Sequence, residues 1–149
     1  MIMSESAATP FNIQFSDDLT WNVNPLLHEI KHALSNLLEN EETAIIDLRS
    51  IPLAPGEENK ILHTLGTGEV HAELDALGKS EIYETFYSGV WVITHYNDTE
   101  SIISRFIEIT HMPEILYSQK EDISNAYKNL SAKLQDDQNT IEPPVENLE

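Results

Sequence analysis

The stretch from Gly66 to Asn97 limits what this chain can fold into more than any other part of the sequence. Val70, Ala72 and Leu74 alternate with Glu69, His71, Glu73 and Asp75, the period of a half-buried strand. Leu77-Gly78 marks a turn. Ser80–Tyr87 and Val90–Tyr96 then read as a hairpin about Ser88-Gly89. Asn97-Asp98 turns again into Ser101–Ile109. Consecutive strands joined by such short connections must run antiparallel, because a parallel pair needs a long crossover.

Helices flank this meander. Asn24-Pro25 predicts a helix start, since Asn caps and Pro fits the first helical turn. Leu26, Leu27, Ile30, Ala33, Leu34, Leu37 and Leu38 then form one broad apolar stripe. Ala44–Leu48 is a short apolar run, read as an internal strand. Pro52 and Pro55 bracket a loop, and Pro55 suits the first turn of a helix ending near Leu65, where Gly66 supplies the stop. Pro113-Glu114 opens a short helical turn to Tyr117. Asp122–Leu134 is a final amphipathic helix with Ile123, Ala126, Tyr127, Leu130 and Leu134 on one face.

The flanks read differently. Residues 1–23 form an N-terminal arm, partly disordered, with a weak alternation at Phe11–Phe15 that suits an edge strand. Residues 135–149, with Pro143-Pro144 and no periodicity, read as an acidic disordered tail. The expected fold is therefore α+β: an antiparallel sheet of four to five strands with the two long helices packed on one face.

Charge decides which partners suit this fold. There are 26 acids against 8 bases, a net charge of -18. No basic footprint exists to displace phosphate counterions, so nucleic acid is excluded as a partner, and anionic membrane surfaces are disfavoured. The acidity is consistent with simple solubility or with a basic client surface. The chain has no cysteine, which excludes disulfides, thiolate nucleophiles and cysteine-ligated zinc or iron–sulfur clusters. No apolar run approaches the length of a membrane span, and the N-terminus shows no secretory signal. The expectation is a soluble cytoplasmic protein without membrane insertion.

His28-Glu29-Ile30-Lys31-His32 matches H-E-x-x-H on a predicted helix, the pattern of a zinc-dependent hydrolase. The apolar stripe centres near Ile30 and Leu37, so His28 and His32 lie on roughly the opposite side, without the walled cleft such a site needs. His71, Glu73, Glu84 and His95 sit on neighbouring predicted strands. They form a metal site or acid–base pair if their faces coincide, and an ordinary solvated sheet face otherwise. Asp47-Leu48-Arg49 suits an ion pair or loop anchor. Gly66-Thr67-Gly68 follows a helix and precedes a strand, the reverse of a phosphate loop. Tyr83, Phe86, Tyr87, Trp91 and Tyr96 suit either core packing or a binding surface. Glu69, Glu73, Glu84, Trp91 and His95 are the candidate partner-binding residues. No catalytic residue, resident metal or cofactor is expected.

Several segments in order carry a resemblance. They are Leu27-His28-Glu29-Ile30 with Ala33-Leu34, Ile46-Asp47-Leu48-Arg49-Ser50-Ile51-Pro52-Leu53, Gly66–Asp75, Gly89-Val90-Trp91 with His95-Tyr96, and Pro113-Glu114-Ile115-Leu116. Together they resemble the C-terminal domain of the hydrogenase expression/formation proteins, the HupH/HyaF family, over residues 24–134. The resemblance implies a non-catalytic assembly factor, or chaperone, in the maturation of a nickel–iron hydrogenase. It implies the small, iron–sulfur-bearing subunit as client, with other maturation factors as further partners. Full-length family members carry an additional N-terminal region that residues 1–23 do not supply, and the acidic tail does not map onto the resemblance.

The helical wheel places His28 and His32 in solvent. Replacing both with Gln should cost within roughly 0.5 kcal/mol per site in thermal or urea unfolding. A loss of several kcal/mol would put them in the core.

Overall fold

The computed structural model describes residues 22–141. The chain divides after Pro113 into two compact units. Residues 1–21 and 142–149, with the Phe11–Phe15 strand and the end of the expected tail, lie outside the described residues.

The first unit opens with helix α1 (Val23–Asn40). It starts two residues earlier than the Asn24-Pro25 signal suggests, with Asn22 at the cap position. Pro25 still falls in the first turn, where a missing N–H is harmless. Val23 is buried, so the core begins inside the segment expected to be an arm. The stripe holds for Leu26, Ile30 and Leu37, which are buried, and Leu27, Ala33 and Leu34 pack against them. Leu38 is the exception and is exposed.

Strand β1 (Ala44–Asp47) leads through a single 3-10 turn (Leu48–Ser50) and a proline loop to α2 (Glu57–Leu65). Gly66 closes α2 with φ +69°, donating its N–H to the Leu62 carbonyl. Four strands follow: β2 (His71–Ala76), β3 (Gly78–Glu84), β4 (Val90–Tyr96) and β5 (Ile102–Ile109). The sheet is antiparallel in the order β1-β5-β4-β3-β2. The α+β class and the meander are as the sequence implies. Among the described residues β1 lies at the edge of the sheet, where the sequence suggests an internal strand. A short apolar run does not separate the two cases; here Ile46 enters the core while Ile45 is exposed.

The core lies between the helices and one face of the sheet. Ile46, Val90, Ile107 and Ile109 meet Leu26, Ile30 and Leu37 of α1 and Ile61 and Leu65 of α2. Each such side chain contributes about 1.5–3 kcal/mol by leaving water. The opposite sheet face is apolar too: Ile82, Trp91 and Ile93 are buried there. Val90 through Thr94 are therefore all buried, five residues in a row.

A buried polar group also holds this frame. Glu57 is fully buried, 0% exposed, at the first position of α2. Its carboxylate accepts hydrogen bonds from the Ala54 amide (2.7 Å), the Asn22 amide (2.9 Å) and the Asn22 side-chain amide (3.1 Å). Asn22 therefore caps no turn of its own helix and instead fastens the start of α1 to the start of α2.

The second unit contains a 3-10 turn (Glu114–Leu116) and helix α3 (Lys120–Ile141). α3 runs past Leu134 into the segment read as tail. Extending a nucleated helix adds one backbone hydrogen bond per residue, so it needs no apolar stripe to continue. Ile123, Tyr127, Leu130 and Leu134 share one face as expected, but all four are exposed rather than packed.

Hydrogen bonds from Asn22 and then Ala54 hold the Glu57 carboxyl below its ordinary range. A depressed carboxyl stabilises the fold fully above its unfolded value and loses that effect as pH falls through its folded value. Glu57→Gln should therefore be less stable than wild type at pH 7, and the gap should close as pH drops below about 4. A constant gap from pH 7 to 3, measured by urea unfolding, would show that the ionised form is not what holds this corner.

Candidate functional site

The register of the meander decides which candidate side chains meet. Glu73 pairs with Glu81, His71 with Tyr83, Glu84 with Trp91 and Ser80 with His95. Directly paired residues share a face, and neighbours along a strand alternate. His71, Glu73, Glu81, Tyr83, Val92 and Thr94 thus lie on the helix-bearing face, and Ser80, Ile82, Glu84, Trp91, Ile93 and His95 on the other. The proposed grouping of His71 and Glu73 with Glu84 and His95 does not form, because the two pairs lie on opposite faces.

On the helix-bearing face, His71 Nε2 lies 3.2 Å from Glu81 Oε2, and Lys79 Nζ 2.8 Å from Glu73 Oε1. The Lys79 contact lowers the Glu73 pKa, and the same contact raises that of Lys79. Burial raises the Tyr83 pKa. Further in, Arg105 donates from Nε to Thr94 Oγ1 (2.9 Å) and from Nη1 to Glu58 (2.6 Å), and Glu58 also meets Arg49 at 3.8 Å. Asp47 accepts from the Arg49 amide and the Ser50 hydroxyl (2.7 Å), which realises the anchor expected of Asp47-Leu48-Arg49.

On the other face, Trp91 is 4% exposed, and its indole N–H donates to the Thr110 carbonyl (3.1 Å). Its ring is core. His95 is half-buried, bonded through Nδ1 to Ser80 Oγ (2.7 Å) and packed edge-on against Phe106.

The remaining carboxylates cluster where α2 hands over to β2. The Gly68 amide donates to the Glu84 carbonyl (2.7 Å) and the Glu84 amide to the Val70 carbonyl (2.9 Å), so the segment before β2 continues the sheet. A Cβ on Gly68 would stand 2.5 Å from the Thr85 carbonyl oxygen, which only glycine avoids. Glu69 is exposed beside this approach, outside the strand proper. Glu84 is half-buried, with Oε2 accepting from the Gly89 amide (3.3 Å). The hairpin loop is longer than a Ser88-Gly89 turn: β3 ends at Glu84, and Thr85 closes the loop by bonding Val90 and Tyr87. This displays Phe86 and Tyr87, whose rings meet edge to face at 5.6 Å. Sequence singled out both rings but not the loop that presents them.

His28, Glu29 and His32 are exposed on α1. Among the described residues no three His, Asp or Glu side chains are placed to hold a metal ion. Nor is any described helix long and apolar enough to cross a membrane.

Fold and surface together define a small α+β domain with an acidic, aromatic-tipped sheet end. The model of the C-terminal conserved region of the HupH hydrogenase expression protein matches residues 20–136, and the chain belongs to that family. Its structure is similar to that of hydrogenase expression protein HupH from Thiobacillus denitrificans ATCC 25259, at 39% identity and a TM-score of 0.74. That match covers 78% of this chain and 97% of the other. Hydrogenase expression/formation protein HupQ of Azotobacter chroococcum mcd 1 is 27% identical over 116 residues, 76% of this chain and 40% of that protein. The HupH protein of the same description from Rhizobium leguminosarum bv. viciae is 24% identical over 115 residues, 77% and 39% of the two chains. The chain thus spans about two fifths of the length of these curated relatives.

Protein purified without a polyhistidine tag should carry well under one equivalent of zinc by elemental analysis. Stoichiometric zinc, with a hydrolytic activity abolished by Glu29→Gln, would establish the hydrolase reading of His28 and His32.

Proposed function

We propose that this protein is an accessory assembly factor in hydrogenase maturation, a non-catalytic chaperone. In this reading it binds an immature subunit of a nickel–iron hydrogenase in the cytoplasm, alongside other maturation factors. The client is the small, iron–sulfur-bearing subunit, held until its metal centres are in place. The observation that carries the reading is the family match over residues 20–136, which takes in nearly all of the described chain. Relatives across that span are named hydrogenase expression or hydrogenase expression/formation proteins.

The binding region in this reading is the acidic end of the sheet, where Glu69 and Glu84 line one hollow and Glu73 adds a charge on the opposite face. Trp91 and His95 act from within the sheet as supports. A net charge of -18 steers a basic client surface, and such steering is screened within about 8 Å at physiological ionic strength.

Substituting Lys at Glu69, Glu73 and Glu84 together should slow capture of the purified small subunit, mainly in the association rate. Raised salt should reproduce the effect in the wild type. Equal association rates for a folded triple variant and the wild type, across salt concentrations, would move the client to another surface.

A further inference from the structure

Two hollows meet at the Phe86–Tyr87 ring pair. The first, about 470 Å³, is lined by Thr67, Glu69, Glu84, Thr85, Phe86 and Ser88. The second, about 290 Å³, lies between α1 and α2 and is lined by Leu27, Ile30, Leu34, Leu65 and Tyr87, with Lys31 also on its wall. Phe86 is 73% exposed. An aromatic of that size left in water beside two cavities is characteristic of a contact surface.

The chemistry of the two hollows differs and is complementary. Among the described residues, Glu69 and Glu84 have no lysine or arginine partner, whereas Glu58 and Glu73 do. One oxygen of Glu84 is occupied by the Gly89 amide, which fixes the carboxylate in place and leaves the other for a ligand. A guanidinium matches this hollow best. It is planar, stacks on an aromatic face and gives two N–H groups to carboxylates, which an ammonium does not. The second hollow is apolar and suits a leucine-sized side chain. Lys31 on its wall repels a cation there and so sets the direction in which a ligand lies.

We propose that this pair of hollows is the docking site for an extended protein segment bearing a large apolar side chain two residues from an arginine. Residues two apart in an extended chain point to one side and are about 7 Å apart, so they can enter two hollows whose walls, Phe86 and Tyr87, are neighbours in the chain and touch edge to face. The segment lays its arginine between Phe86 and the Glu69 and Glu84 carboxylates, and its apolar residue against Tyr87 and α1. The site is pre-built, because Thr85 ties the hairpin loop at both ends and ordering costs on binding are correspondingly small. This deepens the assembly-factor reading and rests on it only for the identity of the partner.

The test uses the full chain, labelled with nitrogen-15, and a capped peptide holding Leu-Ser-Arg between Gly-Ser flanks. Saturable shifts are expected at the amides of Gly68, Glu69 and Thr85 to Gly89, with smaller ones at Leu27 and Leu34. Replacing the peptide arginine with citrulline, which keeps the shape and removes the charge, should weaken binding about tenfold. Glu84→Gln keeps an acceptor for the Gly89 amide, and Phe86→Ala alters an exposed ring, so both variants should fold; each should weaken the peptide similarly. Absent or scattered shifts, or equal affinity for the citrulline peptide, overturn the site. If the peptide saturates this surface but the hydrogenase small subunit is not captured, the site stands and the choice of client falls. If the peptide gives no saturable shifts while wild type, Glu84→Gln and Phe86→Ala all capture the small subunit equally, the site falls and the client stands.

Discussion

A single carboxylate decides how the starts of α1 and α2 meet. Glu57 has no solvent, so its charge is stable only because three N–H groups point at it. Those groups come from the start of α1 and from the proline loop, 35 and 3 residues away in sequence. The contact therefore closes α1, β1 and the loop into one ring of structure around the core. It also places a negative charge at the positive end of α2. Apolar packing of Leu26, Ile61 and Leu65 supplies the attraction, but that attraction has no direction. The carboxylate supplies the angle.

A second polar chain works beside it. Arg105 reaches from β5 to Thr94 on β4 and to Glu58, the residue after Glu57. Adjacent carboxylates at the start of α2 thus have separate tasks: Glu57 fixes the helix ends and Glu58 fixes the helix to the sheet. With Arg49, Lys79 and Arg105 drawn into such pairs, Glu69 and Glu84 remain without a cationic partner among the described residues. The acidity of the sheet end follows from where the arginines are placed as much as from the excess of acids.

Much of this was legible in the sequence where a signal is local. The α1 stripe, the meander, the glycine stop at Gly66 and the exposure of His28 and His32 all follow from short-range period and turn chemistry. Long-range facts were not legible. Glu57 reads as an ordinary acid in a first helical turn, and nothing nearby shows that Asn22 will reach it. Alternation shows that His71 and Glu73 share a face, and that Trp91 and His95 do, but not which pair lies over which face. That depends on Ala76 pairing with Gly78 across the turn, which sets Glu73 against Glu81 and sends Glu84 to the other side. Trp91 reads as a possible contact residue because aromatic enrichment is common to cores and interfaces. Its indole bond to Thr110, 19 residues on, settles it as core.

The segment between α2 and β2 is anchored along its length. Leu65 accepts from the Phe86 amide, Gly68 donates to Glu84, and Val70 accepts from Glu84. A chain pinned so often has no slack. One residue added or removed between Leu65 and His71 could not be absorbed as a bulge in open solvent. It would shift the parity of β2 and exchange the faces presented by His71 and Glu73 with those of Ala72 and Leu74. The Asn97–Ser101 turn differs in kind, because it closes on its own side-chain bonds and is not laced to a neighbouring strand along its length.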